Sequence, residues 1–238
     1  MAARLIRGAV AALAVALAAL APAAVSAEGV TLEVRTVGDS RILVVDGGLT
    51  AGDEDRFAGM LARGPFAEVW FDSPGGSVVA GQGIGRHMRK AGLIGRVPAG
   101  SICASACVDA FLGAPVRFVD RPHSVGVHMF SVFASEKIRA DLTEKVEQGQ
   151  VARAIFDMED YAAGAAARWI TYMMEMGVAP SLISWTVRVP HLCVYWLTQQ
   201  EMLHYNVVNT AGPPRPGFAP GKGRVEHATA AKGCKYAR

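Results

Sequence analysis

An α/β fold with a mainly parallel sheet flanked by helices is what this sequence predicts, and two observations carry the prediction. Short strand-like runs alternate with helical segments across turns rich in glycine and small residues, the order of stacked βαβ units. The run Ala67 to Phe71 sets Val69, Trp70 and Phe71 side by side. That pattern belongs to a strand covered on both faces, which is how parallel strands are buried.

Taken in order, Thr31 to Val37 and Arg41 to Val45 read as two strands joined at Gly38-Asp39, a hairpin turn. Thr50 is placed to cap a first helix. Asp53, Glu54 and Asp55 suit its positive end, and Phe57, Met60 and Leu61 share one face. Gly64-Pro65 stops that helix before the strand Ala67 to Phe71 and the turn Ser73-Pro74-Gly75-Gly76-Ser77. From Val78 the period becomes helical, with Ile84, Met88 and Ala91 on the buried side and Arg86, Arg89 and Lys90 in water. Gly95 to Pro98 reads as the next strand, and Ser101 to Leu112 as a small-residue turn entering a helix. Val116 to Val119 and Ser124 to Phe130 read as two more strands. A glycine-interrupted helical region covers Glu136 to Met176, and a shorter one follows Pro180.

Residues 1–27 stand apart. Arg4 and Arg7 precede the Ala/Val/Leu run from Ala9 to Leu20, and Val25-Ser26-Ala27 supplies short residues where a signal peptidase reads, so cleavage is expected before Glu28. Gly8 to Ala27 is also about the ~20 residues that cross a bilayer, so contact with a membrane is expected only if the segment stays uncleaved. The expected organisation is a leader over 1–27, one domain over 28–210 and a flexible Pro/Gly/Lys-rich tail over 211–238. The chain has 24 Lys+Arg against 21 Asp+Glu, two of the arginines within the leader, and this near balance gives no electrostatic footprint for nucleic acid. A periplasmic or secreted location follows from the leader. Four cysteines, Cys103, Cys107, Cys193 and Cys234, would then meet disulfide-forming conditions, with Cys103 to Cys107 and Cys193 to Cys234 as one of three complete pairings.

Chemistry concentrates in three fragments. Gly75 and Gly76, between a strand end and a helix start, can leave backbone N–H groups unobstructed for a developing oxyanion. Ser105, in Cys103-Ala104-Ser105-Ala106-Cys107, has small neighbours that admit a carbonyl, although a serine ahead of a helix can also be no more than its cap. His128 closes the apolar run Val125-Gly126-Val127, where a strand end delivers a side chain to the ligand crevice of α/β folds.

In order and approximate spacing, Asp72-Ser73-Pro74-Gly75-Gly76-Ser77-Val78, Ala104-Ser105-Ala106 and Gly126-Val127-His128-Met129 resemble the proteolytic subunit of Clp protease, a relative of the crotonase fold. Tyr172 to Val178 and Leu197 to Met202 look closer still to uncharacterised Clp-like periplasmic proteins. The resemblance implies Ser105 as nucleophile, His128 as general base, the N–H groups of Gly76 and Ala106 as oxyanion hole, and Gly75 and Ser77 as substrate-binding neighbours. It also implies a peptide or protein substrate, no cofactor or metal, and a homo-oligomer. The family's aspartate has no counterpart: its place falls near Val194, so His128 needs a backbone carbonyl, a water or a carboxylate such as Asp157 or Asp160. His191 and His204 flank that place. The expected function is an exported serine hydrolase, an ATP-independent peptidase. Its alternatives are an inactive binding or scaffold protein of the same fold and a zinc module on Cys103, Cys107, His123 and His128.

Overall fold

The structure, a computed structural model, describes residues 29–132, 135–210, 224–227 and 234. The expected leader lies outside them, as does most of the expected tail. The chain divides into two compact units: one comprises Ala27–Phe130 with Trp169–Arg238, and the other includes Ser131–Arg168.

The first unit opens with strands β1 (Thr31–Val37) and β2 (Ser40–Asp46), paired antiparallel across the Gly38-Asp39 turn in the register Val37 with Ser40. Helix α1 (Asp53–Leu61) follows, then β3 (Glu68–Asp72), α2 (Val78–Ala91) and β4 (Ile94–Val97). Next come β5 (Cys103–Ala104), α3 (Ala106–Leu112), β6 (Val116–Val119) and β7 (Val125–Val127). One sheet has the order β1-β2-β3-β4-β6 and is parallel from β2 onward. The expected α/β class, a mainly parallel sheet flanked by helices, is what the structure has.

The chain departs from expectation in local ways. Thr50 does not cap α1; Gly52 occupies that position, while Thr50 gives its N–H and hydroxyl to Asp53, which sits buried at the helix start. The Asp53 carboxylate also accepts from Val30 N and Arg56, more donors than the two lone pairs of a hydroxyl could take. β5 and β7 do not extend the first sheet. They pair parallel with each other and join β8 (Cys193–Trp196) and β9 (Arg224–His227) in a second sheet, β5-β7-β8-β9, whose last two pairings are antiparallel. β9 falls inside the segment read as tail, and the disulfide Cys193–Cys234 lies alongside it.

The core rests on the first sheet. Leu43, Val45, Val69 and Phe71 are fully buried with Phe57 of α1, Ile84 and Met88 of α2, and Phe111 of α3. Phe71 and Phe111 meet edge to face at 6.0 Å. α6 (Pro180–Thr186) and α7 (Gln199–His204) complete this unit, together with the last turns of α5 (Val151–Glu175) from Trp169 onward.

The other unit holds α4 (Glu136–Glu147) and the earlier turns of α5. Gly149, at φ 76°, breaks the expected helical region between them. Lys145 bridges Asp141 at 2.5 Å and Asp157 at 2.9 Å, and Arg153 holds Asp157 from the next turn at 3.0 Å.

Candidate active site

Backbone pairing brings the glycine turn and the serine turn together. Ser73 donates its N–H to the Ile102 carbonyl at 2.8 Å, and Ala104 donates to the Ser73 carbonyl at 3.0 Å, so residues 73–77 run beside 102–106. Gly75 has φ 94°, and a Cβ there would stand 2.5 Å from the Ala104 carbonyl, 2.7 Å from Ser105 Cβ and 2.8 Å from Ala106 N. Only glycine permits that approach. Its own groups are committed, the N–H to Ser73 Oγ at 3.1 Å and the carbonyl to Leu49 N at 2.8 Å. Ser77 Oγ accepts from Ala80 N and caps α2. Gly75 and Ser77 therefore shape the turn. The Gly76 N–H is different, having no acceptor among the described residues; nor has the N–H of Ala106, at the first position of α3.

Ser105 occupies the junction between β5 and α3. Its N–H donates to the Gly126 carbonyl at 2.9 Å, and its backbone sits at φ 55°, ψ −128°, a region that residues with side chains rarely adopt. Although it stands where a cap would, its side chain makes no capping bond to α3. A serine held in a costly conformation without the cap bond that would reward it matches the sharp strand-to-helix turn that exposes a nucleophile. The disulfide Cys103–Cys107 spans this turn. It also removes the zinc reading, since two sulfurs bonded to each other offer a metal no thiolate.

β7 carries both partners. Gly126 accepts from Ser105, and His128 lies one residue beyond the strand's end. His128 Nδ1 is 2.8 Å from the Met129 carbonyl, and Met129 N in turn donates to the Val189 carbonyl at 2.9 Å. A carbonyl only accepts, so Nδ1 carries the proton and neutral His128 presents Nε2 as its bare nitrogen. A backbone carbonyl, one of the orienting groups expected from the sequence, is thus bonded to Nδ1; Asp157 is bound to Lys145 and Arg153. Burial lowers the His128 pKa below its ordinary 6.5; the Met129 carbonyl opposes that, and the charge of His191 adds to it.

Ser105, Ala106, Val127 and His128 line one pocket with Val78, Val108, Phe130, Trp169 and Met173. Two polar groups that sequence reasoning passed over complete it, Asp109 and Thr186. A signal for Asp109 was present: it is the lone carboxylate in Ala106 to Leu112, four residues beyond Ser105 and so on the same helix face.

No family model matches this chain, and no curated protein does. Among solved structures it is similar to enoyl-CoA hydratase from Thermoplasma volcanium at 9% identity and a TM-score of 0.33, over 41% of this chain and about half (50%) of that one. It is also similar to a mutant of 1510-N, a membrane-bound stomatin-specific protease, at 14% identity and a TM-score of 0.43, over 70% of this chain and 75% of that one.

Proposed function

We propose that this protein is an exported serine hydrolase, a peptidase that works without ATP. The observation that carries the reading is the state of Ser105: held at positive φ, relieved of any capping duty, and sharing a pocket with a histidine whose Nδ1 is already bonded. In this reading His128 Nε2 takes the hydroxyl proton as Ser105 Oγ attacks the substrate carbonyl, and the electron pair of the C=O moves onto oxygen. The Gly76 and Ala106 N–H groups meet that oxyanion. The imidazolium then returns the proton to the leaving amine, and water repeats the cycle on the acyl-enzyme. Met129 supplies orientation in place of an aspartate.

Peptides or proteins are the substrates in this reading, and the protein assembles with copies of itself. The two disulfides, and the lack of any described helix long and apolar enough to cross a membrane, are compatible with a periplasmic or secreted protein. Fluorophosphonate labelling read by mass spectrometry tests the proposal. Label is expected on Ser105 in the wild type and none in Ser105→Ala, with His128→Ala labelled far more slowly. A folded wild type that takes no label at Ser105 would instead be a binding protein built on this fold.

A further inference from the structure

Asp109 and Thr186 have no part in the chemistry just described, yet both are buried in its pocket. Asp109 is 4% exposed and Thr186 3%. Among the described residues the Thr186 hydroxyl has no hydrogen-bond partner, and the hydrogen bond to the Asp109 carboxyl comes from Trp169 Nε1, at 3.2 Å on Oδ1. Buried polar groups are almost always satisfied, and an unpartnered hydroxyl lining one cavity with a carboxyl held by a single donor points to a ligand that supplies what is missing. Everything else around them except Ser105 and His128 is apolar: Val78, Val108, Phe130 and Met173 among others.

We propose that Asp109 and Thr186 form a specificity subsite that takes the substrate side chain next to the attacked carbonyl and selects a small one bearing a hydroxyl, serine or threonine. This rests on the hydrolase reading of Ser105. Size and chemistry give the choice. The cavity holds about 30 Å³, room for roughly two or three non-hydrogen atoms when a single water needs ~10–15 Å³. Leucine, lysine and arginine would have to reach out of it through its open side. Alanine fits but leaves the Thr186 hydroxyl without a partner and adds nothing to Asp109, whereas a hydroxyl donates to Asp109 and accepts from Thr186. Burial pushes the Asp109 carboxyl up to about 7, so near neutral pH it accommodates an uncharged partner and does not require a cation. Position agrees with role, because Asp109 lies one helical turn beyond Ser105 on α3.

The test uses the full chain and peptide-aminocoumarin substrates that differ only in the residue before the cleaved bond: alanine, serine, threonine, leucine or lysine. kcat/KM for serine or threonine is expected to exceed that for alanine by at least ~10-fold, a hydrogen-bond increment, and to exceed leucine and lysine by more. Asp109→Leu should bring the serine-to-alanine ratio towards one. Thr186→Val, which trades a hydroxyl for a methyl of similar shape, should lower the same ratio by several-fold and serves if the first variant fails to fold. Hydrolysis that depends on Ser105 but favours leucine or lysine, or treats alanine and serine alike, overturns the subsite and spares the hydrolase. No cleavage of any substrate together with no label at Ser105 overturns both.

Discussion

Two side chains at the site titrate away from their ordinary values, and each gives a measurable consequence. His128 must be neutral to accept a proton, and its pKa lies below 6.5 because burial and the His191 charge disfavour the imidazolium. As far as His128 is concerned, hydrolysis should therefore rise with pH along a limb whose midpoint falls below ~6.5. A pH–kcat/KM profile checks this, and a midpoint above 7 would remove His128 as the base. Asp109 moves the other way, up to about 7 from 3.8. The folded state then binds its proton more tightly than the unfolded chain, so stability is highest below pH 4 as far as this group is concerned and falls as pH rises towards 7. Asp109→Asn keeps an acceptor for Trp169 without the charge. It should melt higher than wild type at pH 8, by the equivalent of up to ~4 kcal/mol, and no higher near pH 4, as thermal unfolding at the two pH values would show. That Ser105 and His128 line one pocket was legible because each falls at a recognisable local pattern, a small-residue turn and a strand end. Thr186 was not: a threonine in Ser184-Trp185-Thr186 has no sequence mark of burial without a partner, which only the pocket reveals.

At the scale of elements, the site depends on how closely α2 lets α3 approach. A Cβ on Gly81 would stand 2.3 Å from the Ala106 carbonyl, and one on Gly85 would stand 2.8 Å from that of Asp109. Helices packed this tightly have no slack for a methyl group, and overpacking costs roughly 1–3 kcal/mol. Gly81→Ala is expected to lower stability by about that much. Because the contact falls on Ala106, next to Ser105, it should also slow fluorophosphonate labelling in protein that is still folded by circular dichroism. Labelling at the wild-type rate would show that the contact carries no information about the site. The period of α2 was plain in Ile84 and Met88, and the hairpin in Gly38-Asp39, because both are local signals; Ala91, expected on the same buried side, is exposed at the last position of the helix. β5 was read as a turn since two residues, Cys103-Ala104, leave no alternation to detect. The split into two sheets was equally hidden: which strand neighbours which is a matter of long-range pairing, and β8 and β9 each span four residues.

Across the whole molecule, the α/β class was readable from the order of strands, turns and helices, which topology rules convert into a parallel sheet with few choices. The cysteine pairing was one of three arrangements in the sequence, and folding selects it by bringing Cys193 and Cys234 to a Cα separation of 5.8 Å. The other bridge, Cys103–Cys107, encloses three residues with Ser105 at their centre. So small a ring removes little freedom from the unfolded chain and should contribute little to holding the domain together; what it limits is the freedom of the turn that keeps Ser105 at positive φ. In the hydrolase reading, being folded and being armed are then separate conditions. Opening the short bridge should leave the secondary structure and most of the melting transition in place while Ser105 relaxes and loses its reactivity. Cys103→Ser/Cys107→Ser protein is expected to give an unchanged far-ultraviolet spectrum and fluorophosphonate labelling slowed by at least ~10-fold, and labelling at the wild-type rate would refute this. If the hydrolase reading holds, a chain released into a reducing interior would stay quiet, and would act on its neighbours only after oxidant had closed the bridge.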